Sequence, residues 1–298
     1  MTGLWNLIRR NCKLFFKDKG MFFSSLITPI LLLVLYATFL ANIYHNSFAS
    51  ALPAGFPVSE SLIDATVGGE LFSSLLAVSC VTVSFCCNMV MVQDRVTGSR
   101  RDLTVTPVKK STLALSYYVS TLLSTLIVCV VATAVSFVYL AFIGWYQSFS
   151  DVLLILLDVF LLVMFGTALS SIVNIFLTSQ GQISAVGTVV SAGYGFICGA
   201  YMPISEFGEG LQKVFSFLPG TYGTSLIRNH ALNGVYKEMA AVGFPNEVIE
   251  GIKDSIDCNI YFFGEKVGIG AMYIIMAVSV VLLVAVYIAI NMLRQKRR

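Results

Sequence analysis

The chain has 298 residues, of which 57% are hydrophobic and 12% charged, with a formal charge of +3 and a mean hydropathy of +0.83. A soluble globular domain carries about a quarter charged residues, so this composition excludes one and indicates an integral membrane protein. The 19 Lys and Arg are not spread evenly: five lie in residues 1–20, five in 93–110 and four from Arg294 onward, and these zones hold only three acids. They mark one face of the membrane, and short basic loops stay on the cytosolic side.

Residues 1–20 place Leu4, Leu7, Ile8, Leu14 and Phe15 among Arg9, Arg10, Lys13, Lys17 and Lys19, the pattern of an amphipathic helix lying in the membrane interface. A first span follows at 21–44, too long for a cleavable signal core and containing Pro29. Residues 45–69 are polar and free of Lys and Arg, as an outer loop should be, and span two covers 71–92. The loop 93–110, QDRVTGSRRDLTVTPVKK, carries Val96, Leu103 and Val105 among its charges. It predicts a short, partly amphipathic helix on the inner surface, closed off before Pro107, and a soluble partner could grip such an element.

Span three occupies 112–143, and the aromatic turn at Trp145 and Tyr146 prevents a second crossing there. The polar cluster Thr178–Gln182 divides the next apolar stretch into spans at 152–177 and 183–202. Two spans rather than one return the basic tail to the cytosolic face after a sixth span at 267–293. Residues 21–298 thus read as one all-α, six-span transmembrane domain with both termini cytosolic. The fifth span carries Gly187, Ser191, Gly195 and Gly199 four apart, a small-residue face suited to close helix contact or to a pathway wall.

The outer segment 203–266 contains Phe207, Leu211, Val214, Phe215 and Leu218 at helical spacing before Pro219. A second helical stretch, TYGTSLIRNHALNG, follows. Both runs are too short to cross and suit helices that dip in and return, or lie in the interface. Val248, Ile249, Ile252 and Ile256 make a further amphipathic helix, a packed lid.

No P-loop, HExxH or GxSxG motif occurs, and His45 and His230 are not at ligand spacing with the seven cysteines. The chain reads as neither an enzyme nor a metal or cofactor binder. Asp158 is the one charge well inside a span, a functional candidate by default. The bland alternative leaves it near the outer interface, hydrated, protonated or paired with a polar neighbour. Asn174, near the inner end of the same span, suits an interhelical hydrogen bond. Membrane lipid is an expected partner and nucleic acid is not.

Several of these pieces resemble the type-two permease family of ABC exporters. The resemblance rests on the basic N-terminus, on Asp94, Arg95 and Gly98 followed by Pro107, and on Gly199 to Pro203 with Pro219, Arg228 and Gly234. Asp94 stands where the family more often has Glu. The resemblance implies a plasma-membrane subunit that forms a homodimer or heterodimer and seats Arg100, Arg101, Asp102 and Leu103 on a separate ATP-binding subunit, where ATP and magnesium would reside. It also implies that 207–234 forms short re-entrant helices. The apolar walls tilt the cargo toward a hydrophobic or amphiphilic small molecule, with a lipid-linked glycan or a peptide as alternatives. An ion-coupled secondary transporter, favoured by Asp158, or a non-transporting scaffold subunit are the competing classes.

Overall fold

The structure is a computed structural model and describes residues 2–36, 38, 45, 59–106 and 108–296. In chain order its helices are α1 (Thr2–Lys17), α2 (Lys19–Leu35), α3 (Glu60–Val96), α4 (Ser99–Val105), α5 (Lys110–Ile143), α6 (Phe149–Phe176) and α7 (Gln180–Ile197). A 3-10 turn (Ile204–Glu206) leads to α8 (Glu209–Ser216), α9 (Pro219–Val242), α10 (Asn246–Ser255), the strands β1 (Ile260–Phe262) and β2 (Glu265–Val267), and α11 (Ile269–Lys296). Among the described residues α3, α5, α6 and α11 are each long and apolar enough to cross a bilayer, and α1 with α2 would make a fifth crossing, bent by 71°. The molecule is therefore an α-helical, polytopic membrane protein.

The bend falls at Asp18, whose side chain accepts the Met21 N–H at 3.1 Å and so caps α2. Pro29 lies within α2 without ending it. The amphipathic α1 buries Leu7, Ile8, Asn11 and Phe15 while Trp5 stays exposed, and it packs chiefly on α5.

Nearly all of α3 is buried, because α2, α5, α6, α7 and α9 surround it. Its hydroxyls are satisfied locally: Ser73, Ser79, Thr82 and Ser84 each donate to a carbonyl three or four residues back, at 2.6–2.9 Å. An unpaired hydroxyl in an apolar interior costs about 1–3 kcal/mol, so this local bonding lets a serine-rich helix occupy the centre. The outward faces of α5 and α11, by contrast, leave Val131, Val138, Ile274 and Val281 exposed, as a lipid-facing surface requires. Near the end of α11, Tyr287 donates to the Ala114 carbonyl at the start of α5 at 3.0 Å. The close of α11 therefore lies at the same end of the bundle as α1 and α4, here the loop end.

Three sequence expectations are corrected. Residues 60–69, expected in a loop, form the first turns of α3. A Cβ at Gly69 would lie 2.5 Å from Leu232 Cδ2, so that glycine permits close packing of α3 against α9. The second run of the outer segment is not a short helix: α9 has 24 residues and passes through Gly234 to a left-handed Gly243 at φ +97. Gly234 is again an approach site, since a Cβ there would collide with the Tyr146 carbonyl. The third is local: the all-α class agrees with the structure, but residues 260–267 of the outer segment form a small hairpin in which Ile260 pairs with Val267 and Phe262 with Glu265. Its turn residues Phe263 and Gly264 both have positive φ, 51° and 91°. Such turns favour Asn-Gly or Asp-Gly, and Phe-Gly gives no such signal in the sequence.

Candidate functional site

At the loop end, α3 stops at Val96 and the chain turns through Gly98 at φ +84, a left-handed conformation that favours glycine, into the seven-residue α4. None of the α4 side chains is buried. Arg101 and Asp102 are exposed, Arg100 is half-buried, and Leu103 packs against the apolar cluster containing Leu7, Phe15 and Leu113. The helix is thus anchored by one apolar residue and presents its charges outward. Pro107 lies outside the described residues.

Asp94 and Arg95 are turned inward instead. Asp94 is 5% exposed. Its carboxylate accepts two bonds from the Arg10 guanidinium, at 2.6 and 2.8 Å, and a third from the Tyr117 hydroxyl at 2.6 Å. One acid therefore ties α1, α3 and α5 together beside the loop helix, and the fork geometry of arginine suits the bidentate bond. Arg95 donates to the carbonyls of Asn174, Ile175 and Leu177, reaching Ile175 at 2.9 Å. Those carbonyls close α6, and a cation there complements the negative end of the helix dipole. Asn174 enters this contact through its backbone. The interhelical side-chain bonds are made one turn deeper by Asn88, which donates to Ser170 and Ser171 at 3.2 and 3.0 Å.

Between α2 and α7 runs a groove of about 940 Å³ floored by Cys86, Met89 and Gln93 of α3. It extends from Asp18, Gln93 and Gln180 at the loop end to Tyr36, Phe196 and Tyr201. At that far end Tyr36 donates to the Ala200 carbonyl at 3.2 Å.

The small-residue series is divided by this arrangement. Gly187 and Ser191 line the groove. Gly195 is covered by Tyr201 of the same chain, which folds back along α7 and donates to the Ser191 carbonyl at 3.0 Å. Gly199, expected on the same helical face, lies beyond α7 in a left-handed turn at φ +72, with the Ala200 N–H bonded to Gly195 O at 2.8 Å.

At the opposite end Arg228 is 1% exposed and joins four elements. It donates to Ser74 Oγ of α3 at 2.8 Å, to Gly199 O at 3.0 Å and to the Ile256 carbonyl after α10, and lies 3.8 Å from Asp257. Glu70, also buried, contributes a second negative charge to its field. Burial pushes the Asp257 carboxyl above its ordinary value, outweighing the opposing pull of Arg228 and of the Ile204 N–H. A neighbouring cluster holds Asp158, which is buried and bonded to His230 Nδ1 at 2.6 Å and to the Tyr273 hydroxyl at 2.6 Å. The paired alternative for Asp158 is the one the geometry displays.

Around these clusters Pro203 opens the 3-10 turn, and Phe207 meets Phe215 edge-on at 5.2 Å. Leu211 is exposed and Pro219 occupies the first turn of α9. Arg10, Tyr117, Glu70, His230, Asp257 and Tyr273 escaped the sequence reading. Their partners lie far off along the chain, as much as 115 residues for Tyr273 and Asp158, so no local spacing reports them.

A bundle of apolar helices around a serine-rich centre, with a solvent-facing helix held between two spans and a groove running along one side, defines a membrane transport subunit built to work with another component. The sequence model of the ABC-2 type transporter family matches residues 2–231, well over half of the chain, and the chain belongs to that family. It is an ABC transporter permease, of a family that works with an ABC ATP-binding subunit. No curated protein matches the chain.

Proposed function

We propose that this chain is the permease of an ATP-driven exporter that carries an amphiphilic small molecule outward across the plasma membrane. In this reading α4 seats on a separate ATP-binding subunit, which holds ATP and magnesium, and two permease copies, identical or not, form the pathway. Six crossings would use the span that contains α2, then α3, α5, α6, α7 with the residues that follow it, and α11, with α1 lying in the interface. The loop end would face the cytosol. The observation that carries the proposal is α4 itself: a helix between two spans with no buried side chain, charges outward, next to an internal anchor at Asp94 and Arg95. A groove that reaches the loop end at Asp18, Gln93 and Gln180 supports entry of cargo from inside. The α9 segment and Arg228 network would form the outer closure.

Closure of the nucleotide-binding pair would push α4, and the push would reach α1, α3 and α5 together through Asp94. Coupling of this kind requires contacts that differ between two states. The test replaces Arg100 and Arg101 with Glu. The variant should insert normally yet lose most co-purification with the ATP-binding subunit, since rim charges govern association. Unchanged complex yield and ATP hydrolysis would make α4 a passive connector. Ion-coupled transport is the second reading, drawn from the Asp158, His230 and Tyr273 cluster, and transport that persists without ATP would favour it.

A further inference from the structure

Resting on the permease reading, we infer that the groove between α2 and α7 selects an amphiphile whose polar group is uncharged, and that it discriminates against both anionic and cationic heads. Of the groove's lining residues among those described, Asp18 alone carries a formal charge. That charge is already engaged: Asp18 caps α2 through the Met21 N–H, and it sits between Lys17 and Lys19 in sequence. No Lys or Arg lines the groove.

Apart from Asp18, its polar equipment among the described residues is neutral. Ser24 and Thr28 on α2, Ser184 and Thr188 on α7, and the amides of Gln93 and Gln180 alternate with Ile27, Leu31 and Ile183. Hydroxyls and amides can both donate and accept, so they match alcohols, amides or sugars without supplying a counter-charge. An ion taken from water into such a site loses hydration that nothing replaces. Among the described residues, the closest acid–base contacts of the interior lie elsewhere: Asp94 with the half-exposed Arg10, Asp158 with the His230 imidazole, and Arg228 with Asp257. None of these six lines the groove. The fold has turned its ion pairs away from this wall and left neutral hydrogen-bonding groups facing it.

The experiment uses the permease with its ATP-binding subunit in phosphatidylcholine nanodiscs and a photoreactive dodecyl glucoside as probe. Cross-links mapped by mass spectrometry should fall on α2 and α7. Unlabelled dodecyl glucoside should compete, while dodecyl sulfate and dodecyltrimethylammonium compete at least about tenfold less well, equivalent to ~1.4 kcal/mol. Thr188→Lys, which places a cation on the wall, should improve competition by the sulfate about tenfold. Val189→Lys, on the same helix but outside the groove, should not. Competition by the sulfate or the ammonium equal to the glucoside, or cross-links absent from α2 and α7, overturns the assignment. Nucleotide-dependent ATP hydrolysis is measured on the same preparation. Hydrolysis with an unlabelled groove defeats the charge selectivity alone, whereas absence of ATP hydrolysis by the reconstituted pair defeats the proposed ATP-driven export.

Discussion

The two ends of the bundle handle buried charge differently. At the loop end a single carboxylate, Asp94, is matched by one arginine and one tyrosine, and the Arg10 side chain keeps 31% of its surface exposed. At the opposite end Arg228 is enclosed, with the buried acids Glu70 and Asp257 both in its field, beside a third enclosed acid, Asp158. Water can replace the partner of a half-exposed guanidinium when the pair opens, but it cannot reach Arg228. The loop-end tie can therefore open at lower cost than the opposite network, with the buried Asp94 still holding the Tyr117 hydroxyl. The opposite network has to move as a unit, because opening it would strand several charges at once. The loop helix is thus joined to the bundle by a contact that yields, and the far end is held by one that does not.

Arg228→Met gives the largest expected effect and the sharpest test of that contrast. It removes the cation while leaving two carboxylates in place, and breaking a buried pair from one side costs about 3–5 kcal/mol. The expected result is a large fall in the thermal unfolding midpoint of the detergent-solubilised protein. Adding Glu70→Gln and Asp257→Asn should restore part of the loss, since the stranded charges go with it. If Arg228→Met were no worse than a loop-end substitution, the two ends would not differ in kind.

Arg10→Ala is that loop-end substitution, and its expected cost is smaller, about 1–3 kcal/mol, because water reaches the Arg10 side of the pair and the buried Asp94 keeps the Tyr117 hydroxyl. Hydrogen exchange should quicken across α1 and stay unchanged in α9. The difference from wild type should also shrink at high salt, where a partly exposed pair is screened. Protection of α1 lost to the same degree as protection of α9 would mean that the charge clusters act as one body.

The sequence disclosed the loop end far better than the opposite end, for a physical reason. Basic residues that face the cytosol must be many and close together to orient a membrane protein, so the loop 93–110 and the helix inside it could be read from composition. Buried ion pairs need only one residue of each sign, drawn from distant helices. His230 and Tyr273 lie in stretches whose local pattern reports only helix, and Asp158 alone stood out because its neighbours are apolar. Gly69 and Gly234 lie at the limits read for the outer loop and the second outer helix, and in the structure both are close-approach sites inside longer helices. The ends of α3 and α9 were misjudged accordingly. Gly199 was the reverse case: a glycine read as helix packing that ends α7 through its left-handed φ.

The smallest expected effect lies in the lid, where charge is neither enclosed nor close to the pathway, and it extends the comparison to a third environment. Glu250 of α10 accepts from Lys253 at 2.8 Å, from Lys266 of β2 at 2.6 Å and from Asn259 at 3.2 Å. The bonds from Lys253 and then Lys266 draw its carboxyl down from the ordinary 4.5 to about 2. A depressed carboxylate contributes stability that is present above the unfolded value and lost as the pH falls from 4.5 toward about 2. Because 45% of the Glu250 side chain is exposed, solvent screening holds the contribution to less than about 1 kcal/mol. Hydrogen exchange of the amides of α10 and the hairpin should therefore accelerate slightly, beyond the intrinsic pH effect, as the pH is lowered through that window. Glu250→Gln should show weaker protection at neutral pH and no such pH-dependent step, while Arg228 and its partners hold the rest of the far end unchanged. A step of equal size in wild type and Glu250→Gln would place its origin elsewhere. If the step spread into α9, the lid and the enclosed network would be one cooperative unit, and the line drawn between exposed and buried charge at that end would have to be moved outward to include α10.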